Sequence, residues 1–175
     1  SLPIISLMSI FILSMAVPAF AASENSINKV PQVAKDDKFD DASTAPFLRV
    51  KEKNVGDFSN GDYFELALTN ADWLKDEITA AGVVTAVEAS VDVEYISKTV
   101  LGHTIKSLTG NDKVEIRVPL LTKVTGEGEA KVEVDPRDSA VTGGTYVFAV
   151  SAEGKTVTTI EKVNKFGGRY GSLAT

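Results

Sequence analysis

His103 is the only histidine in the chain, and there is no cysteine. It stands between Gly102 and Thr104 in a strand-like run. A Ser-His-Asp relay would have to be assembled around this single imidazole, and no G-x-S-x-G elbow accompanies it. Without thiols, disulfides and thiolate metal sites are excluded. A zinc centre would rest on one imidazole and carboxylates, a rare donor set. The expectation is a structural or surface histidine, with no catalytic role assigned to His103.

Carboxylates offer the remaining chemistry. Asp36, Asp37, Asp40 and Asp41 bring oxygen ligands close together, as calcium prefers. The spacing lacks the glycine and closing glutamate of an EF-hand, and Lys35 and Lys38 oppose the charge. A solvated charged segment accounts for it. Asp135 and Asp138 form a second candidate, but Asp135-Pro136-Arg137-Asp138 is a good turn sequence without any metal. Glycoside hydrolysis needs two facing acids. Glu88, Asp92, Glu94, Glu115 and Glu133 all fall on the polar parity of amphipathic strands, where a wetted sheet face requires them. No catalytic residue, cofactor or metal is assigned.

The net charge of -6 argues against a nucleic-acid partner. Gly143-Gly144 and Gly167-Gly168 lack the lysine and spacing of a phosphate loop. Aromatics make up 7% of the chain, and the single tryptophan, Trp73, reads as core.

The elements that would carry these residues are mostly strands. Val114, Ile116 and Val118 alternate with charged residues, as do Ala130, Val132 and Val134. Side chains alternate across a strand, so each run buries one face. Tyr146-Val147-Phe148-Ala149-Val150 is apolar throughout and reads as a central strand covered on both sides. Further strands are expected at 47–53, at Phe64, Leu66 and Leu68, at 83–96 with a bend or bulge, and at 100–108 with a break at Gly102. A hairpin turn at Glu153-Gly154 would lead into a last strand at 156–163. The spacing of Trp73, Leu74, Ile78 and Ala81 predicts one short helix, with Asp72 as cap and Gly82 at its end.

The N-terminal run 2–17 is apolar and uncharged, and Ala19-Phe20-Ala21 is an A-x-A cleavage signature. Residues 1–21 therefore read as a secretory signal peptide, cleaved after Ala21. Residues 22–45, polar and without period, read as a flexible leader. A β-sandwich domain is expected over 46–165, and 166–175 as a linker or the start of another module.

The segment from Glu52 to Leu68 has the form E-x-x-x-G-x-F, then a glycine, then an alternating strand: Glu52, Gly56, Phe58, Gly61, then Phe64, Leu66 and Leu68. It resembles the β-rich module of exported Gram-positive surface proteins, which often continue into a copper amine oxidase N-terminal-like, or stalk, domain. The resemblance implies that the glutamate ends one strand, the glycines make the turn, and Phe64, Leu66 and Leu68 form the next core strand. It implies neither copper nor oxidase activity.

The sequence thus points to a mainly β chain: an antiparallel β-sandwich, immunoglobulin-like in general architecture, with one short helix. The expected function is a non-enzymatic structural or adhesion module of a bacterial cell-envelope protein, secreted to the cell surface. Its partners would be envelope components or other surface proteins, with membrane contact only through the signal peptide. The alternatives are a polysaccharide-binding module and a filament subunit that assembles by donating its leader as a strand.

Overall fold

A computed structural model describes residues 21–152. The signal-peptide, hairpin-turn, last-strand and C-terminal linker expectations lie outside the described residues.

Twelve strands and one helical turn follow in order: β1 (Ser23–Ile27), β2 (Gln32–Ala34), β3 (Phe47–Glu52), β4 (Tyr63–Thr69), β5 (Ala71–Trp73), α1 (Lys75–Thr79), β6 (Thr85–Val87), β7 (Ser90–Tyr95), β8 (Val100–Lys106), β9 (Glu115–Pro119), β10 (Thr122–Val124), β11 (Gly128–Asp138) and β12 (Gly144–Ala152). One sheet has the order β1-β3-β9-β6, and the other β2-β12-β11-β4-β8-β7. In chain order, β1, β3, β4, β6, β9, β11 and β12 take the places of strands A to G in a constant-type immunoglobulin sandwich, with ABED facing GFC. The β7–β8 hairpin widens the second sheet beyond β4. β2 joins the other edge of that sheet, parallel to β12.

The two inner faces share one core. Leu48, Val50, Ile116 and Val118 come from the first sheet, and Phe64, Leu66, Leu101, Val132, Val134 and Phe148 from the second. Outer positions on the same strands include Arg49, Lys51, Glu65, Arg117, Lys131 and Glu133, as the period of two requires. The short pair β5–β10 closes one pole of the sandwich. There Phe39 and Thr122 exchange backbone hydrogen bonds of 2.8 and 3.1 Å.

Residues 22–45 are not the flexible leader the composition suggests. β1 lies antiparallel on β3 and β2 lies parallel on β12, so the segment crosses from one sheet to the other. The sandwich therefore includes the segment from Ala22 onward and does not start near Pro46. Its polar composition is compatible with order because its polar groups are paired. The Ser23 N–H donates to Thr142 Oγ1 at 3.0 Å, and Asn25 Nδ2 donates to the Thr142 carbonyl at 2.7 Å.

Four other expectations change. The 83–96 run is two strands in different sheets, parted at Glu88, whose φ of +67° turns the chain across the sandwich. β8 runs unbroken through Gly102, where the Tyr63 ring lies so close that a Cβ would meet its hydroxyl at 2.6 Å. The helix is shorter than its spacing predicts. Trp73 belongs to β5, and Leu74, not Asp72, occupies the cap position without a side-chain bond. Finally, β12 is next to the edge, and its apolar run has a local cause. The register slips there, so that Ala130 faces Ala149 and Lys131 faces Val147. Phe148 is the extra residue, and it turns inward together with Ala149.

Candidate functional site

His103, the one imidazole, is sealed in the core at 0% exposure. β8 aims it inward beside Leu101 and Ile105, opposite Phe64 of β4. Neither ring nitrogen makes a hydrogen bond. Burial pushes its pKa down to about 3, and the neighbouring backbone of Phe64 and Leu101 offsets only part of that shift. A neutral ring without solvent access or a polar partner has no route for proton transfer.

The acids are spread over the surface. Asp37 accepts the Ala34 N–H at 2.9 Å, and Asp41 accepts from the Ser43 N–H and hydroxyl at 2.9 and 2.7 Å. Ser43 holds the Asp41 carboxyl below its usual range. Asp36 lies 3.9 Å from Lys123. Asp135 accepts the Arg137 N–H at 3.2 Å. Among the described residues, no three His, Asp or Glu side chains converge on a point that could hold a metal.

Two carboxylates have structural positions that carry information. Glu52 falls on the buried parity of β3 and is 2% exposed. Its two oxygens accept the Phe58 N–H at 2.7 Å and the Val114 N–H at 2.9 Å. It thus ties the 53–62 connection to the approach to β9, while Phe58 is buried beside it. The spaced glutamate, glycine and phenylalanine of that connection act together: a buried acceptor, a backbone turn at Gly56 with φ +91°, and an apolar plug. On the outer face of the second sheet, the Tyr63 hydroxyl donates to Glu65 at 2.6 Å. Partial burial and that carboxylate push the Tyr63 pKa up to about 12. Arg137 flanks Glu65 at 3.5 Å.

A concavity lies on the outer face of the four-stranded sheet, where β3, β9 and β6 approach the pole closed by β5–β10. It has a volume of about 540 Å³. Its floor is Phe47, Val83 and Pro119; its polar rim is Asn28, Lys29, Ser43, Thr85 and Arg117. Adjacent β-strand register brings Phe47 opposite Pro119 and Arg49 opposite Arg117. The Arg117 guanidinium sits 5.0 Å above the Phe47 ring. Its Nε donates to Glu115 at 2.8 Å, and Arg49 donates to the same carboxylate at 3.1 Å. Arg49 and then Arg117 hold the Glu115 carboxyl below its usual range. None of these groove residues was singled out by motif, because they come from four separate segments. The one signal available was two arginines on the polar parity of strands that pair.

Compared with known proteins, the chain matches no protein-family model and no curated protein.

Proposed function

We propose that this chain is a non-enzymatic, extracellular structural or adhesion module of a bacterial cell-envelope protein. The path of the chain carries the reading. It enters the sandwich at Ala22, hydrogen-bonded to Ala140 and Lys53 at one pole. It leaves the described residues at Ala152, beside Ala34 at the other pole. The outer ends of β1 and β12 thus lie at opposite poles, an arrangement that suits a bead in a string of modules. The A-x-A signature at Ala19-Phe20-Ala21 supplies the route out of the cell.

The polysaccharide-binding reading has support of its own, in the groove beside Arg117. Assembly by donation of the leader is less supported. Both edges that this segment could complete in a neighbour are completed by it in its own chain.

Fractionation of expressing cells with mass spectrometry of the product tests the proposal. The expected product begins at Ala22, sits in the envelope or medium, and gives no turnover on polysaccharides or peptidoglycan. A cytoplasmic product that retains residues 2–17, or turnover abolished by replacing one acid, would overturn it.

A further inference from the structure

We infer that the groove beside Arg117 binds an acidic oligosaccharide, with a sugar carboxylate held by Arg117 and Lys29. The inference rests on the extracellular reading above and names what the module would adhere to.

The charge of the groove is the first argument. The chain has 24 acidic and 18 basic residues, yet none of the residues lining this groove is acidic. Two are cationic, Lys29 and Arg117. Among the described residues Lys29 makes no ion pair, and the terminal nitrogens of Arg117 make no hydrogen bond. Only Nε of Arg117 is engaged, by Glu115. The acid beside one wall, Asp41, is occupied by the N–H and hydroxyl of Ser43. A neighbouring hollow of about 380 Å³ on the same face also reaches Arg117, but there Asp112 and Glu115 oppose Lys51, Lys113 and Arg117, whereas no acid lines the groove.

Preorganisation is the second. Phe47 beneath and Glu115 beside it fix the Arg117 fork, leaving its outer edge in a planar arrangement that matches a carboxylate. Asn28 Oδ1 accepts the Phe47 N–H at 2.7 Å, which pins the turn carrying Lys29 to β3. On the opposite wall, the N–H groups of Thr44 and Ala45 donate to the Asp41 carbonyl at 3.1 and 2.9 Å and hold the turn that presents Ser43. The ligand would therefore meet a rim that is already ordered.

Size and lining select the ligand class. About 540 Å³ falls within the range of small-ligand sites and suits two or three sugar rings. Half-buried Val83 presents apolar surface to a ring face, while Ser43, Thr85 and Asn28 present hydroxyl and amide groups to sugar hydroxyls. A bare inorganic anion would leave this surface unused.

The test is calorimetric titration of the purified chain with trigalacturonic acid, its neutral methyl ester, and inorganic phosphate. Trigalacturonic acid should bind, and more weakly as salt is raised. Lys29→Gln and Arg117→Gln should each weaken it by about tenfold or more. Ala81→Trp, which fills the groove and keeps both cations, should abolish it. Thermal melting checks that Arg117→Gln still folds; Lys29 is exposed, so Lys29→Gln serves if it does not. No binding, equal binding of the methyl ester, unchanged binding in Lys29→Gln or Ala81→Trp, or displacement by equimolar phosphate would overturn the assignment. A chain found in the envelope that binds no acidic sugar overturns the groove alone, and a cytoplasmic chain overturns the extracellular reading alone.

Discussion

The His103 imidazole lies flat against the Phe64 ring, with centroids 4.7 Å apart and planes 5° from parallel. The two residues are direct partners across β8 and β4, and both are fully buried. The sandwich uses its one imidazole as an aromatic plate between two strands. That use constrains the ring to its neutral form.

Stability should therefore depend on pH through His103. Its folded pKa of about 3 lies below its ordinary value. Between the two, the unfolded chain takes up a proton that the folded chain refuses. Folding stability is then undiminished above the ordinary value and falls as pH drops through the window, by up to about 1.4 kcal/mol per pH unit. His103→Leu should remove this part of the slope and leave the part due to carboxylates. Urea midpoints of both proteins between neutral and mildly acidic pH check it; parallel curves would contradict the prediction.

Glu52→Ala should be strongly destabilising. It leaves the Phe58 and Val114 N–H groups without their acceptor in a buried setting. The expected loss is roughly 2–5 kcal/mol. Glu52→Gln, which retains one acceptor oxygen, should lose less. Equal denaturant midpoints for wild type and Glu52→Ala would show that water replaces the carboxylate without cost.

Ile116 of β9 is fully buried, between Val50 and Ala86 on the neighbouring strands. Ile116→Ala should cost roughly 2–5 kcal/mol. Exposed Lys113, replaced by alanine, should stay within about 0.5 kcal/mol. Arg117→Ala should fall between, at up to about 1 kcal/mol, because it gives up the Phe47 ring and the Glu115 pair. Chemical denaturation of the three variants gives the order directly.

Deleting residues 22–34 should lower the urea midpoint markedly, since it strips β1 from β3 and β2 from β12 and uncovers two sheet edges. The shortened chain should also self-associate in light scattering. An unchanged midpoint with a monomeric chain would mean that the N-terminal strands rest on the sandwich without supporting it.

The parts of the fold legible in the sequence are those where burial alternates with charge. β9 and β11 show this plainly, with Ile116, Val118, Val132 and Val134 inward against Glu115, Arg117, Lys131 and Glu133. β1 carries no such signal. Its inward positions are Ser23, Asn25 and Ile27, and the first two are satisfied by Thr142, more than a hundred residues away. Glu52 was legible in principle, as an acid on the same parity as Leu48 and Val50. The bulge at Phe148 and the sheet switch at Glu88 were not, because each depends on what the partner strand does. The groove was hidden for the same reason: register, not proximity in sequence, brings Phe47, Thr85 and Arg117 together.

The parallel pairing of β2 with β12 gives the sandwich a direction under tension. Force applied at Ala22 and Ala152 loads β1 on β3 and then draws β2 toward one pole and β12 toward the other. The two strands are then dragged lengthwise past each other, and the rungs from Gln32–Val150 to Ala34–Ala152, with the Val150 bond to Pro31, share the load at once. A hairpin pulled from its open end yields one rung at a time; this pair must yield together. The edge that looks least substantial in the sheet, three residues long, therefore resists such a pull by shear and not by unzipping.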